Sequence, residues 1–299
     1  MKISSISPLC FGCEPLGGQD WGVVSVDQIQ YSIDKAIDLG LNFFDTAAVY
    51  GLGLSEERLA FILGKRRKHL FIATKGGLSW PMDYKKDERV RIVRDSSSAT
   101  ITQHVKDSLL RLGLECLPLF YIHWPDASVP FEETFSTLRQ LQCDGLIRHI
   151  GCSNFSSLQL RDAMKYAPIS FVQIPLNILD GSIQSSSDIF QVCRDSDIKI
   201  VAYNVLCNGL LTGKFNKFSS FPCTDRRSRL PIFQGEAFAA SLARVDVLRN
   251  TAAASGKSLI QYAIGSVLYN ENADFVITGI KKPSQLVENW SAAFRLNNP

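Results

Sequence analysis

Four polar side chains stand at or near the ends of apolar runs, and together they could move a proton. Asp45 closes FFD, Lys75 closes LFIATK and His123 closes LPLFYIH, while Tyr50 comes five residues after Asp45 in NFFDTAAVYG. A free phenol has a pKa near ~10 and gives up its proton reluctantly at neutral pH. Lys75 beside Tyr50 would favour the phenolate and lower that value, and Asp45 would pair with the lysine in a partly buried site. Tyr50 would then serve as a general acid, and His123 could donate a hydrogen bond to a carbonyl and stabilise developing charge. Taken singly, each residue also has an ordinary reading. An aspartate before threonine caps or turns a chain, a strand-terminal lysine is solvated, a histidine before Trp-Pro-Asp holds structure and a loop tyrosine packs.

Only a fold that gathers strand ends on one rim brings these groups together. Strand-like runs are expected at 9–12, 42–45, 70–75, 117–123, 148–152, 170–174, 198–203 and 274–278. Between them lie stretches of helical period near 26–39, 55–63, 99–112, 131–142, 156–166, 186–196, 235–255, 259–269 and 283–295. Strands alternating with helices predict parallel pairing, and eight in one chain favour a closed (β/α)8 TIM barrel over an open sheet. No linker or repeat divides the chain, so residues 1–299 are read as a single domain. The opening MKISSISPL is expected to form a β-hairpin that closes the barrel floor. Two connections, 76–98 and 204–234, are unusually long, and both follow a strand, where this fold builds its active-site face.

The 299 residues are 45% hydrophobic and 20% charged, an ordinary balance for a globular chain with a core. A net charge of +3 with scattered basic residues offers no broad face for nucleic acid. No run approaches the roughly 18 apolar residues of a membrane helix, and no leader is evident, so a cytoplasmic protein with no membrane partner is expected. The eight cysteines sit mostly as single residues in apolar runs, which suits reduced core thiols. Cys10-x-x-Cys13 has no second pair or nearby histidine to complete a site, and His69, His104, His123 and His149 form no His-x-His pair, so no metal is expected.

The motifs NFFDTAAVYG, FIATKGG, LFYIHWPD, GLIRHIGCSNFS, NGLLTGKF and VITGIKKPSQLVEN occur in this order, and with them the chain resembles the aldo-keto reductases over nearly its whole length. The resemblance implies a (β/α)8 barrel with a catalytic tetrad of Asp45, Tyr50, Lys75 and His123. It implies a nicotinamide cofactor, NADPH/NADP+ with NADH as the alternative, bound without a Gly-x-Gly-x-x-Gly turn. Ser153, Asn154 and Gln173 would then hold the carboxamide, and Tyr203 would stack on the nicotinamide ring. Gly209 and Gly213 would admit the pyrophosphate, flanked by Leu211 and Lys214. Gly279 and Ile280 lead to Lys281, which would meet a 2′-phosphate, while Gln285, Glu288 and Asn289 would bond adenine and ribose.

The chain departs from the family where Asn204-Val205 replaces the frequent Ser-Pro and where Thr278 replaces a frequent proline, so the cofactor loop is expected to sit differently. It also ends soon after its last helix, so substrate specificity is expected from other loops. SWPMDYKKDERVRIVRDS with Trp80, and the 204–234 segment with Phe218, Phe221, Arg226, Arg227 and Arg229, are the candidates, and Trp21 and Trp124 could add aromatic walls. The expected activity is reduction of an aldehyde or ketone, sugar-like substrates included, by a monomer or weak homo-oligomer. The same residues would serve oxidation of a sugar or polyol, and a cofactor-binding regulatory subunit without turnover is the alternative from another class.

Overall fold

The computed structural model describes residues 2–22, 24–81, 90–182, 187–269 and 273–294. Eight parallel strands close into a barrel: β1 (Leu9–Gly12), β2 (Phe43–Asp45), β3 (Phe71–Gly76), β6 (Leu117–Ile122), β7 (Ile147–Ser153), β8 (Ile169–Pro175), β9 (Lys199–Tyr203) and β10 (Phe275–Gly279). Their order is β1-β10-β9-β8-β7-β6-β3-β2, with β1 closing the circle through registers such as Gly12↔Asp45 and Leu9↔Val276. A short antiparallel ribbon, β4 (Leu78–Ser79) with β5 (Val93–Arg94), decorates the connection after β3. Each expected strand lies within two residues of the observed one.

The strands read as continuous apolar runs because both faces are buried. Along β2, Phe43 points into the barrel while Phe44 points out toward the helices, and along β6 Leu119 and Tyr121 point in while Phe120 and Ile122 point out. Inside, the Phe43 ring meets Phe71 edge-on at 5.2 Å and Phe275 at 5.5 Å. Tyr121 fills space that Gly151 leaves, since a Cβ there would lie 2.4 Å from its ring.

The helices are α1 (Val26–Asp38), α2 (Leu54–Leu63), α3 (Ser98–Leu112), α4 (Phe131–Cys143), α5 (Ser157–Ala163), α6 (Ser187–Asp195), α7 (Gly235–Ala254), α8 (Leu259–Tyr269) and α9 (Pro283–Phe294). In α1, Ser25 caps the first turn through Gln28 N–H, and Ile29, Ser32, Ile33 and Ala36 form the buried stripe. Helix α3 ends at Gly113, whose φ of 59° is a left-handed position that a glycine adopts freely.

The expected N-terminal hairpin is not formed. Ile3–Ser5 is a 3-10 turn instead, because Ser5 N–H and Ile6 N–H bond back to the carbonyls of Lys2 and Ile3, and Pro8 has no N–H to give a ladder. The floor is sealed by side chains: Ile6 is buried and Ile3 packs against the barrel interior, while Ser7 and Asn42 exchange hydrogen bonds of 2.8 and 3.2 Å. The long segment after β9 holds three 3-10 turns, Cys207–Thr212, Arg226–Arg229 and Pro231–Phe233. Its aromatics do not form a substrate wall. Phe221 packs edge-on against Phe215 and Phe233 in a satellite core, and Phe218 is exposed.

Candidate active site

Three strand ends and one turn deliver the expected catalytic groups to a single point. Asp45 is the last residue of β2, Lys75 sits in β3, and His123 follows β6 with its N–H on Gly76 O at 2.9 Å. Tyr50 lies in the turn before α2, which is tied by Tyr50 N–H to Ala47 O at 3.0 Å and by a 2.8 Å contact between the Thr46 and Ser55 hydroxyls. Lys75 Nζ donates to Asp45 Oδ1 at 2.5 Å, to Thr46 O at 2.9 Å and to Tyr50 Oη at 3.4 Å. The other carboxylate oxygen, Oδ2, accepts from Gln173 Nε2 at 2.8 Å. The Tyr50 and His123 rings stand edge to face, 5.9 Å apart.

Burial holds the Tyr50 phenol well above its ordinary pKa, with Glu14 and Asp45 adding to the rise and Arg226 opposing it. The direction is opposite to the lowering expected from Lys75, whose charge is already answered at 2.5 Å by Asp45. Burial, aided by the Lys75 charge, pushes His123 well below the usual imidazole range, so the ring is neutral at neutral pH. Its Nδ1 is buried with no hydrogen-bond partner among the described residues.

The pair Tyr50 and His123 opens into a cavity of about 1850 Å³ at the C-terminal rim of the barrel. Asp45 and Trp124 line its catalytic end, and Ser153, Asn154, Gln173 and Tyr203 follow along the wall. Asn154 is fixed on three sides, accepting from Tyr203 Oη at 2.6 Å and donating to His123 O at 3.0 Å and Ser153 Oγ at 3.1 Å. Farther out lie Gly209 and Lys214, then Gly279, Lys281, Gln285, Glu288 and Asn289. The cavity wall does not include Lys75, which is buried behind Asp45 and Tyr50, or Leu211 and Ile280, which belong to hydrophobic cores. Gly213 ends a 3-10 turn and faces Arg249, and Trp80 stacks on His104 with centroids 6.4 Å apart, away from the cavity. Residues 82–89 of the Trp80 loop lie outside the described residues.

At the outer end, positive charges crowd one another. Burial and the neighbouring Arg227 lower both Lys214 and Lys281, with Lys282 acting on Lys214 as well. An anion there would relieve that repulsion, so the residues present fit the phosphates of a dinucleotide. Asn204 explains how this loop leaves β9: its φ of 57° is left-handed, and its Oδ1 accepts from Asn208 N–H at 2.8 Å.

A strap after β1 went unassigned in the sequence, apart from Trp21. Lys281 Nζ donates to Trp21 O at 2.6 Å, Arg226 N–H donates to Asp20 O at 2.8 Å, and Arg229 bonds the Asp20 carboxylate. Glu14, at the start of this strap, lines the cavity and accepts from Arg226 Nη1 at 2.9 Å. Its signal was akin to the one that marked Asp45, a charged residue at or just past the end of an apolar strand.

Barrel, rim cavity and buried ion pair define the frame of an α/β-barrel enzyme, and sequence comparison gives its class. The chain belongs to the Aldo/keto reductase family, whose profile matches residues 8–298. Its members are NAD(P)H-dependent oxidoreductases acting on carbonyl and alcohol groups, and so is this protein. It is 34% identical over 287 residues to the aldo-keto reductase YhdN of Bacillus subtilis (strain 168), spanning 94% of this chain and 83% of that one. It is 27% identical over 286 residues to the NADH-specific methylglyoxal reductase of Escherichia coli (strain K12), spanning 92% and 86% of the two chains. The solved glycerol dehydrogenase AKR11B4 from Gluconobacter oxydans superposes with a TM-score of 0.86 at 36% identity, covering 97% of this chain and 86% of its own.

Proposed function

We propose that the protein reduces an aldehyde or ketone with NADPH, with Tyr50 as the general acid. The observation that carries this reading is the Lys75 ammonium bonded to both Asp45 and Tyr50, with the phenol facing the cavity beside a neutral His123. When bound, a nicotinamide cofactor would supply the hydride. Tyr50 holds its proton, as its raised pKa requires, until oxyanion charge develops on the substrate, then gives it to that oxygen. His123 remains neutral and donates one N–H to the same oxygen, fixing its direction. Lys75, paired with Asp45, stabilises the phenolate left behind. Ser153, Asn154 and Gln173 would hold the carboxamide end of the cofactor, and Tyr203 would offer its ring to the nicotinamide.

Removing the phenol hydroxyl tests the acid. Tyr50→Phe is expected to lower kcat by about 10²- to 10⁴-fold while the Kd for NADPH stays within a factor of about two. Retained turnover would overturn the assignment.

Oxidation of a polyol, with Tyr50 as base, is the second reading, supported by the 36% identity to a glycerol dehydrogenase. The same groups serve both directions, so rates with NADP+ on glycerol and NADPH on glyceraldehyde separate them. A regulatory subunit would bind the cofactor and turn over neither.

A further inference from the structure

Glu14 stands in the catalytic chamber and neither gives nor takes a proton in the transfer described above. It opens a 3-10 turn, Glu14–Gly17, that is clamped at several points. Cys13 N–H donates to Asp45 O at 2.8 Å, Ser55 Oγ donates to Cys13 O at 2.8 Å, and Arg58 Nη1 donates to Leu16 O at 2.7 Å. Gly17 lies so near the Tyr50–Gly51 backbone that a Cβ would meet it at 2.7 Å. The turn that carries the carboxylate is therefore held against the Tyr50–Gly51 segment, and a recognition group needs a fixed mount of that kind.

Its partner is also held. Arg226 Nη1 donates to Glu14 Oε1 at 2.9 Å, and the guanidinium lies 5.5 Å from the centre of the Trp21 ring. Both side chains of the pair line the cavity and are about one-third exposed, 36% for Arg226 and 32% for Glu14. A carboxylate offers roughly four lone-pair sites, of which this bond takes one, and a guanidinium carries about five N–H groups. Acceptor and donor thus sit side by side, an arrangement that matches a hydroxyl able to give and receive. A purely apolar substrate would cover them without replacing their water. A substrate carboxylate placed beside that of Glu14 would be repelled.

We propose that Glu14, held by Arg226, is a specificity-determining residue that selects neutral substrates bearing a hydroxyl besides the reacting group. The inference rests on the carbonyl-reductase reading of the site. Steady-state kinetics with NADPH and three small probes test it: glyceraldehyde, propanal and glyoxylate. The wild type is expected to favour glyceraldehyde over propanal and to reject glyoxylate. Glu14→Ala is expected to lower the ratio of kcat/KM on glyceraldehyde to kcat/KM on propanal by about tenfold or more, chiefly through KM on glyceraldehyde. Glu14→Gln keeps an acceptor without the charge, so it should retain more glyceraldehyde activity than Glu14→Ala and gain activity on glyoxylate. An unchanged Kd for NADPH shows that each variant is folded. Parallel losses on glyceraldehyde and propanal, or no loss on either, would overturn the specificity role. A wild-type protein that binds NADPH but turns over none of the probes would sink the reductase reading, and this inference with it.

Discussion

At Tyr50 a phenol meets one ammonium, at 3.4 Å, inside a site where burial and the acids Glu14 and Asp45 all favour the protonated form. The ammonium was expected to win because only the pair was visible in the sequence. Burial wins, with the charges of Glu14 and Asp45 adding to it. The sign is then clear: a raised folded-state pKa keeps the proton on as pH rises through the ordinary phenol range near ~10 and loses it only above. Ultraviolet difference titration of wild type against Tyr50→Phe, without cofactor, should therefore show no phenolate from Tyr50 below about pH 10. Its appearance in the neutral range would reverse the account. The tetrad members were legible singly, each as a polar residue that ends or adjoins an apolar run. Their contacts were not, nor was the bond from Gln173 to Asp45, across 128 residues of chain.

Elements follow the sequence closely where a strand has two buried faces. FFD, LFIATK and LPLFYI have no polar face, and the structure places them between barrel interior and helix layer. Phe43 is fully buried between Phe71 and Phe275, so Phe43→Ala should cost about 3–5 kcal/mol of stability, measured as a fall in the denaturant midpoint at unchanged slope. A loss below about 1 kcal/mol would mean that the interior collapses into the gap. Short elements were illegible for an equally physical reason. The 3-10 turn Ile3–Ser5 and the ribbon of β4 with β5 are only a few residues long, and packing rather than period decides them.

Across the whole molecule, the mouth of the cavity is built by segments from both ends of the chain. Trp21 accepts from Lys281, 260 residues away, and Glu14 accepts from Arg226, 212 residues away. The crowded Lys214, Arg227, Lys281 and Lys282 support a phosphorylated cofactor here. Lys281→Ala should therefore weaken NADPH by about tenfold and leave NADH within about twofold, read by fluorescence titration. Equal losses for both cofactors would point instead to the strap through Trp21.

The sequence by itself determined the barrel, because eight doubly buried strands alternating with amphipathic helices have few other ways to bury their faces. It also determined which side chains stand on the rim, since each follows from where an apolar run stops. Only the tertiary structure decided which charges answer one another: Asp45 with Lys75 and Gln173, Glu14 with Arg226, Lys281 with the Trp21 carbonyl. Those pairings depend on distances of a few ångströms and on burial, and a pattern along the chain carries neither quantity.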